Sequence, residues 1–163
     1  MEPGAARVNA TVYTWGFKQG VLMDAVFAKL NYKGQKEIYV LNPPESFQDV
    51  LDTVSDEVTV MLDLDNLMET RKASFVLAFV TRQSEVDAIS TLLPQTLADD
   101  AVFWFAYPKG TSKKYRCDFN RDTGWAKTSE AGWERVRQIA IDEDWTALRF
   151  RKPEHIKTMT RRF

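Results

Sequence analysis

The chain has 163 residues, 44% hydrophobic and 28% charged, with a formal net charge of −1. That composition suits one folded domain with its own core and excludes a disordered chain. The single cysteine, Cys117, and the single histidine, His155, exclude an internal disulfide, a cysteine metal cluster and a metal site with two histidines.

Charge is unevenly distributed. Residues 1–40 carry a net +2, residues 41–100 a net −9 and residues 101–163 a net +6. Two solvated faces of one domain explain this, as does a basic face for an anionic partner. The longest apolar runs, Phe75–Val80 and Ala101–Tyr107, reach about seven residues, against roughly 20 for a membrane-spanning helix. No signal peptide is apparent. A lone cysteine favours a reducing compartment, so the expected location is cytoplasmic.

Residues 1–22 fit neither helical nor strand periodicity and read as an N-terminal extension or arm. Residues 23–163 read as one domain. Met23, Val26, Phe27 and Leu30 recur at helical spacing. Ile38–Leu41 reads as a strand stopped by Asn42-Pro43-Pro44, because proline cannot donate to a sheet ladder. A helix follows from Glu45, with Phe47, Val50, Leu51 and Val54 on one face. Val58–Leu62 is a second strand, ended by Asp63-Leu64-Asp65-Asn66, and Leu67–Lys72 suits a short helix. Ser74–Val80 has the continuous apolar run of a strand buried on both faces.

Thr81–Ser84 starts a helix whose buried stripe is Val86, Ile89, Leu92, Leu93 and Leu97, with Pro94 expected to kink or end it. Ala101–Tyr107 is the fourth strand. A helix is expected over Arg121–Ala131, with Asp118 or Asn120 as N-cap and Gly132 beyond its end. Val136–Ile141 and Trp145–Arg151, joined by Asp142-Glu143-Asp144, form an antiparallel hairpin. Pro153 opens a short terminal helix. The alternation predicts an α/β fold: a mostly parallel sheet of five to six strands, helices on both faces and the antiparallel C-terminal hairpin at one edge. Val76, Phe79, Phe103, Phe105, Ile139 and Leu148 are the expected core.

Ligands of open α/β sheets bind beyond the carboxyl ends of the strands. Here those positions hold Asn42, Pro43, Pro44 and Glu45; Asp63 and Asp65; Thr81 and Arg82; and the run Lys109, Gly110, Thr111, Ser112, Lys113 and Lys114. This last loop is the strongest candidate. Gly110 permits unusual backbone angles, Thr111 and Ser112 supply hydroxyls, and three lysines, with Arg121 nearby, supply charge for a phosphate or carboxylate. An ordinary solvated loop has the same composition, and the run is not a Walker A loop.

Asn42-Pro43-Pro44 resembles the Asn-Pro-Pro motif of amino-group methyltransferases. No G-x-G-x-x-G accompanies it, and a strand stop explains the prolines. Asp63 and Asp65 suit magnesium binding or acid–base work, or simple helix capping. Cys117 lies beside Arg116, and a Cys117–His155 dyad would need the tail to fold back. Trp104, Trp125, Trp133 and Trp145, with Phe103, Phe105, Tyr107, Phe119 and Phe150, are interleaved with basic residues. Such a mixture suits either core packing or base stacking. No RNP, KH or helix-turn-helix pattern accompanies it.

LNPPESF at 41–47, VFWFAYPKGTSKKY at 102–115, NRDTGW at 120–125 and VRQIAIDEDWTALRFRK at 136–152 resemble the signature blocks of a family of small bacterial domain-of-unknown-function proteins. The resemblance spans about residues 23–152. It implies a bacterial cytosolic protein with a compact α/β fold and no established activity.

These readings converge on a small, non-catalytic α/β binding or interaction protein with no cofactor and no metal. Its candidate partners are a small anionic ligand and a second copy of the chain. The alternative is an enzyme or cofactor-dependent protein holding an anionic group at Lys109, Lys113 and Arg121, with Asp63 or Asp65 as base. A third reading is a nucleic-acid accessory protein using the basic C-terminal face, which the pI of 5.9 disfavours.

Overall fold

A computed structural model describes residues 17–18, 21–69 and 72–156. Two short strands, β1 (Phe17–Lys18) and β2 (Val21–Leu22), pair antiparallel. The rest of the expected arm at 1–22 and the end of the terminal segment lie outside the described residues. The domain then runs α1 (Val26–Lys29), β3 (Glu37–Leu41), a 3-10 turn (Glu45–Phe47) continuing into α2 (Gln48–Leu51), β4 (Thr59–Met61), α3 (Leu64–Glu69), β5 (Ala73–Phe79), α4 (Gln83–Thr96), β6 (Leu97–Pro108), α5 (Ala126–Glu130), β7 (Glu134–Ala140), β8 (Trp145–Arg151) and a 3-10 turn at Pro153–His155.

Six strands form one sheet in the order β4-β3-β5-β6-β8-β7. β4, β3, β5 and β6 are parallel. β8 is antiparallel to β6, and β7 to β8. The uncharged run in β5 lies inside the sheet, with two strands on one side and three on the other, where burial on both faces is required. Side-chain alternation along β5 and β6 feeds two cores. Val76, Ala78, Phe103, Phe105 and Tyr107 pack with Val86, Ile89 and Leu93 of α4 and with Trp125 and Trp133. Phe75, Leu77, Phe79, Trp104 and Ala106 pack with Val26 and Phe27 of α1 and Leu51 of α2. Helices thus cover both faces. The aromatic residues singled out in this part of the chain belong to these cores: all four tryptophans after residue 100 are buried, as are Phe103, Phe105, Tyr107, Phe119 and Phe150.

Five local expectations are corrected. Ile139 is only partly buried, because β7 is the edge strand and has no neighbour beyond it among the described residues. β7 starts at Glu134 and ends at Ala140, which leaves a four-residue turn. α3 spans Leu64–Glu69, starting three residues earlier than Leu67. α4 continues through Pro94 to Thr96. α5 begins at Ala126, not Arg121, and its N-cap position is Trp125, with no side-chain cap. Asp118 and Asn120 serve other backbone groups. Asp118 accepts from Gln83 N at 2.7 Å, in the first turn of α4. Asn120 Oδ1 accepts from Asp122 N and Thr123 N at 2.7 and 3.1 Å.

Candidate functional site

The crevice outside β3 and β5, where the parallel order reverses, is the expected ligand position. Here the chain occupies it itself. The Asp118 carboxylate sits on the first turn of α4, and Asp118 N donates to Thr81 O at 3.3 Å. Glu85 Oε1 accepts from Thr81 N and Arg82 N at 2.8 and 3.1 Å. Internal carboxylates therefore satisfy the amides that would otherwise attract an anion.

A cleft of about 720 Å³ opens one strand further, at the carboxyl end of β6. Its sheet wall is Tyr107 and Pro108 from β6, Thr146 from β8 and Gln138, Ile139 and Ala140 from β7. Register explains the grouping: Tyr107 pairs with Thr146, which pairs in turn with Ala140. The facing wall is the loop after β6, contributing Lys109, Gly110, Ser112, Tyr115, Arg116, Cys117, Phe119, Asn120 and Arg121.

That loop is tied down along its length. Lys109 N donates to Asp144 O at 2.8 Å, and Ser112 Oγ to Asp144 Oδ1 at 2.9 Å. Ser112 Oγ also accepts from Lys114 N and Tyr115 N at 3.2 and 3.1 Å. Trp125 Nε1 donates to Asn120 O and Arg121 O, both at 3.0 Å, and Arg135 reaches Arg121 O at 2.6 Å. Gly124 completes the hold. Its φ is +95°, and a Cβ there would stand 2.8 Å from Phe119 Cβ, so only glycine lets the wall pack this closely.

The cleft has one sign of charge. Among the described residues, Lys109, Arg116 and Arg121 are its ionised lining residues, and no aspartate or glutamate lines it. Arg121 has an exposed contact with Asp122 at 3.3 Å. Tyr107 is 4% exposed, and its hydroxyl is buried with no hydrogen-bond partner. Burial pushes its phenol up to about 12, with the Arg121 charge pulling the other way. It therefore stays a proton donor across the physiological range. Thr146 is already engaged: its hydroxyl accepts from Gln138 Nε2 at 3.0 Å and donates to Ile139 O at 2.8 Å.

The expected site residues thus divide. Lys109, Gly110, Ser112 and Arg121 line the cleft, although the Ser112 hydroxyl is an anchor for the loop. Thr111, Lys113, Lys114 and Asn42 do not line it. Asn42 instead takes a left-handed φ of 53° at the end of β3, a turn geometry that asparagine tolerates. Asp63 follows β4, three strand spacings from β6, or about 14 Å. Neither it nor Asp65 lines the cleft, so neither is placed as a base there. Cys117 donates to Phe119 O at 2.8 Å and lies near Pro108. His155 lies 3.9 Å from Asp100, near the other end of β6. Those ends are about 26 Å apart along the strand, which rules out the dyad.

Sequence reasoning missed Tyr107, Arg116, Gln138 and Thr146 as cleft residues. The available signal was the hairpin, which must pair beside β6 and bring its turn toward the loop. Among the described residues, no group of three or more histidines, cysteines or carboxylates could hold a metal. None of the described helices is long and apolar enough to cross a membrane. No protein-family model and no curated protein matches this chain.

Proposed function

We propose that the chain is a cytoplasmic binding protein that holds a small anionic molecule in this cleft without converting it. The carrying observation is the lining among the described residues: three cations, no carboxylate, and a buried tyrosine hydroxyl with no partner. A buried hydroxyl without a hydrogen bond is costly, and an oxyanion beside Arg121 would accept a hydrogen bond from it. The size falls within the range of small-molecule sites. Tyr115 and Phe119 add apolar surface, which favours an organic anion over a bare ion. The non-catalytic reading is supported by a lining that, among the described residues, holds no aspartate, glutamate or histidine, by a Cys117 thiol engaged with Phe119 O and by a Tyr107 phenol that keeps its proton.

Titration of the full chain with phosphate and with a panel of small organic carboxylates and phosphate esters tests this, read by NMR. K109A/R121A should weaken binding about tenfold or more, the equivalent of 1.4 kcal/mol. K113A/K114A removes equal charge outside the cleft and should leave binding unchanged. Equal loss in both variants would reduce the effect to general surface charge and overturn the site.

A further inference from the structure

The β7–β8 hairpin carries a second cluster of cations on its opposite face. Alternation along β8 puts Ala147, Arg149 and Arg151 there, with Trp104 of β6 paired to Arg149. β7 adds Arg137, in register with Arg149. A bulge makes this possible. The register shifts between Arg135 and Arg137, so Arg135 pairs with Phe150 on the cleft side while Arg137 pairs with Arg149 on the other. In a regular strand the two arginines would share one face.

Arg149 is 7% exposed. Its Nε is buried without a hydrogen-bond partner, and its guanidinium meets no acceptor among the described residues. Arg151 Nε is also buried and unpartnered. The acid that acts on Arg149 is Asp100, which already accepts from Arg151 at 2.8 Å and lies 3.9 Å from His155. Burial first, then the charges of Arg151 and Arg137, pulls Arg149 down to about 10. A buried cation surrounded by like charges is strongly disfavoured unless an anion joins it.

We propose that Arg137, Arg149 and Arg151 hold a phosphate group, as free phosphate or as the phosphate of a small ester, at a site separate from the cleft. Around Arg149 the charges of Arg137 and Arg151 outweigh that of Asp100, and with Glu134 in register with Arg151 the cluster still stays net positive, as a phosphate requires. Guanidinium groups present paired N–H donors that fit phosphate oxygens, and several can share one tetrahedral ion. A carboxylate has fewer oxygens and half the charge.

The test follows the arginine Nε–H resonances of the full chain during titration with inorganic phosphate, phenyl phosphate or acetate. Phosphate should shift the Arg149 signal saturably, with a Kd of about 1 mM or tighter. Acetate should act far more weakly. R149K keeps the charge and loses the fork, and should weaken phosphate about tenfold. R149M should abolish the response of Arg137 and Arg151, while K109A/R121A leaves it intact. Tighter binding of phenyl phosphate assigns the site to a phosphorylated ligand, and equal binding assigns it to the free ion. The proposal fails if Arg149 does not respond to phosphate, if acetate acts equally, or if R149K matches the wild type. The R149K arm decides the matter even where R149M does not fold.

Discussion

Tyr107 shows at the scale of one residue how a site departs from the rules of the core around it. A fully buried hydroxyl normally has a hydrogen-bond partner, and this one has none. Y107F should therefore leave the melting temperature unchanged or raise it, since an unpaired hydroxyl costs about 1–3 kcal/mol to bury. The same variant should weaken anion binding in the cleft. A fall in melting temperature would mean that the hydroxyl has a structural role instead. The phenol also sets a pH dependence. Its folded value, about 12, lies above the ordinary 10, so its contribution is fully present below pH 10. It is lost as pH rises from 10 through 12, because the unfolded chain gives up the proton first. Tyr32, raised by burial too, acts in the same direction. Denaturant titrations across this range should show a shallower alkaline loss in Y107F than in the wild type.

Among the elements, the segment between β6 and α5 decides the most. It caps α4 through Asp118, walls the cleft through Lys109–Arg121 and packs Trp125 against Phe105 and Phe150 at 5.5 and 5.3 Å. α4 and α5 are further joined by a buried hydrogen bond between Ser90 and Thr128 at 2.7 Å. D118A should cost about 1 kcal/mol through loss of the bond to Gln83 N. It should also loosen the cleft wall, so anion affinity should fall although Asp118 does not line the cleft. Chemical denaturation and the same titration separate the two effects. Unchanged affinity would show that the wall is held by its other bonds alone.

For the whole molecule, stability rests on two cores that share the strands β5 and β6. Phe105 stands where β6 meets α5 and β8, touching Phe103, Trp125 and Phe150. F105A should cost roughly 3–5 kcal/mol, a fall of about 6–20 °C in melting temperature for a chain of this size. An unchanged transition would remove it from the core. The hairpin that closes this side of the sheet also organises function. One of its faces floors the cleft, and the bulge in β7 sends Arg137 to the other.

Much of the sheet was legible in the residues. Apolar runs in β3, β5 and β6, the proline stops and the alternation in β8 follow from local rules that depend only on neighbours in the chain. Such rules also locate the basic loop that follows β6. They could not say which residues of that loop face inward. Lys109 and Lys113 look equivalent in sequence, yet the bonds that Lys109 N and Ser112 Oγ donate to Asp144 set a turn in which Lys109 lines the cleft and Lys113 does not. Nor could they show that Asp118 would cap the first turn of α4. The edge position of β7 left Ile139 half-covered, and strand spacing separated Asp63 from Lys109. Each of these depends on strand order and long-range pairing. Contacts between residues far apart in the chain exist only once the sheet has closed around β5.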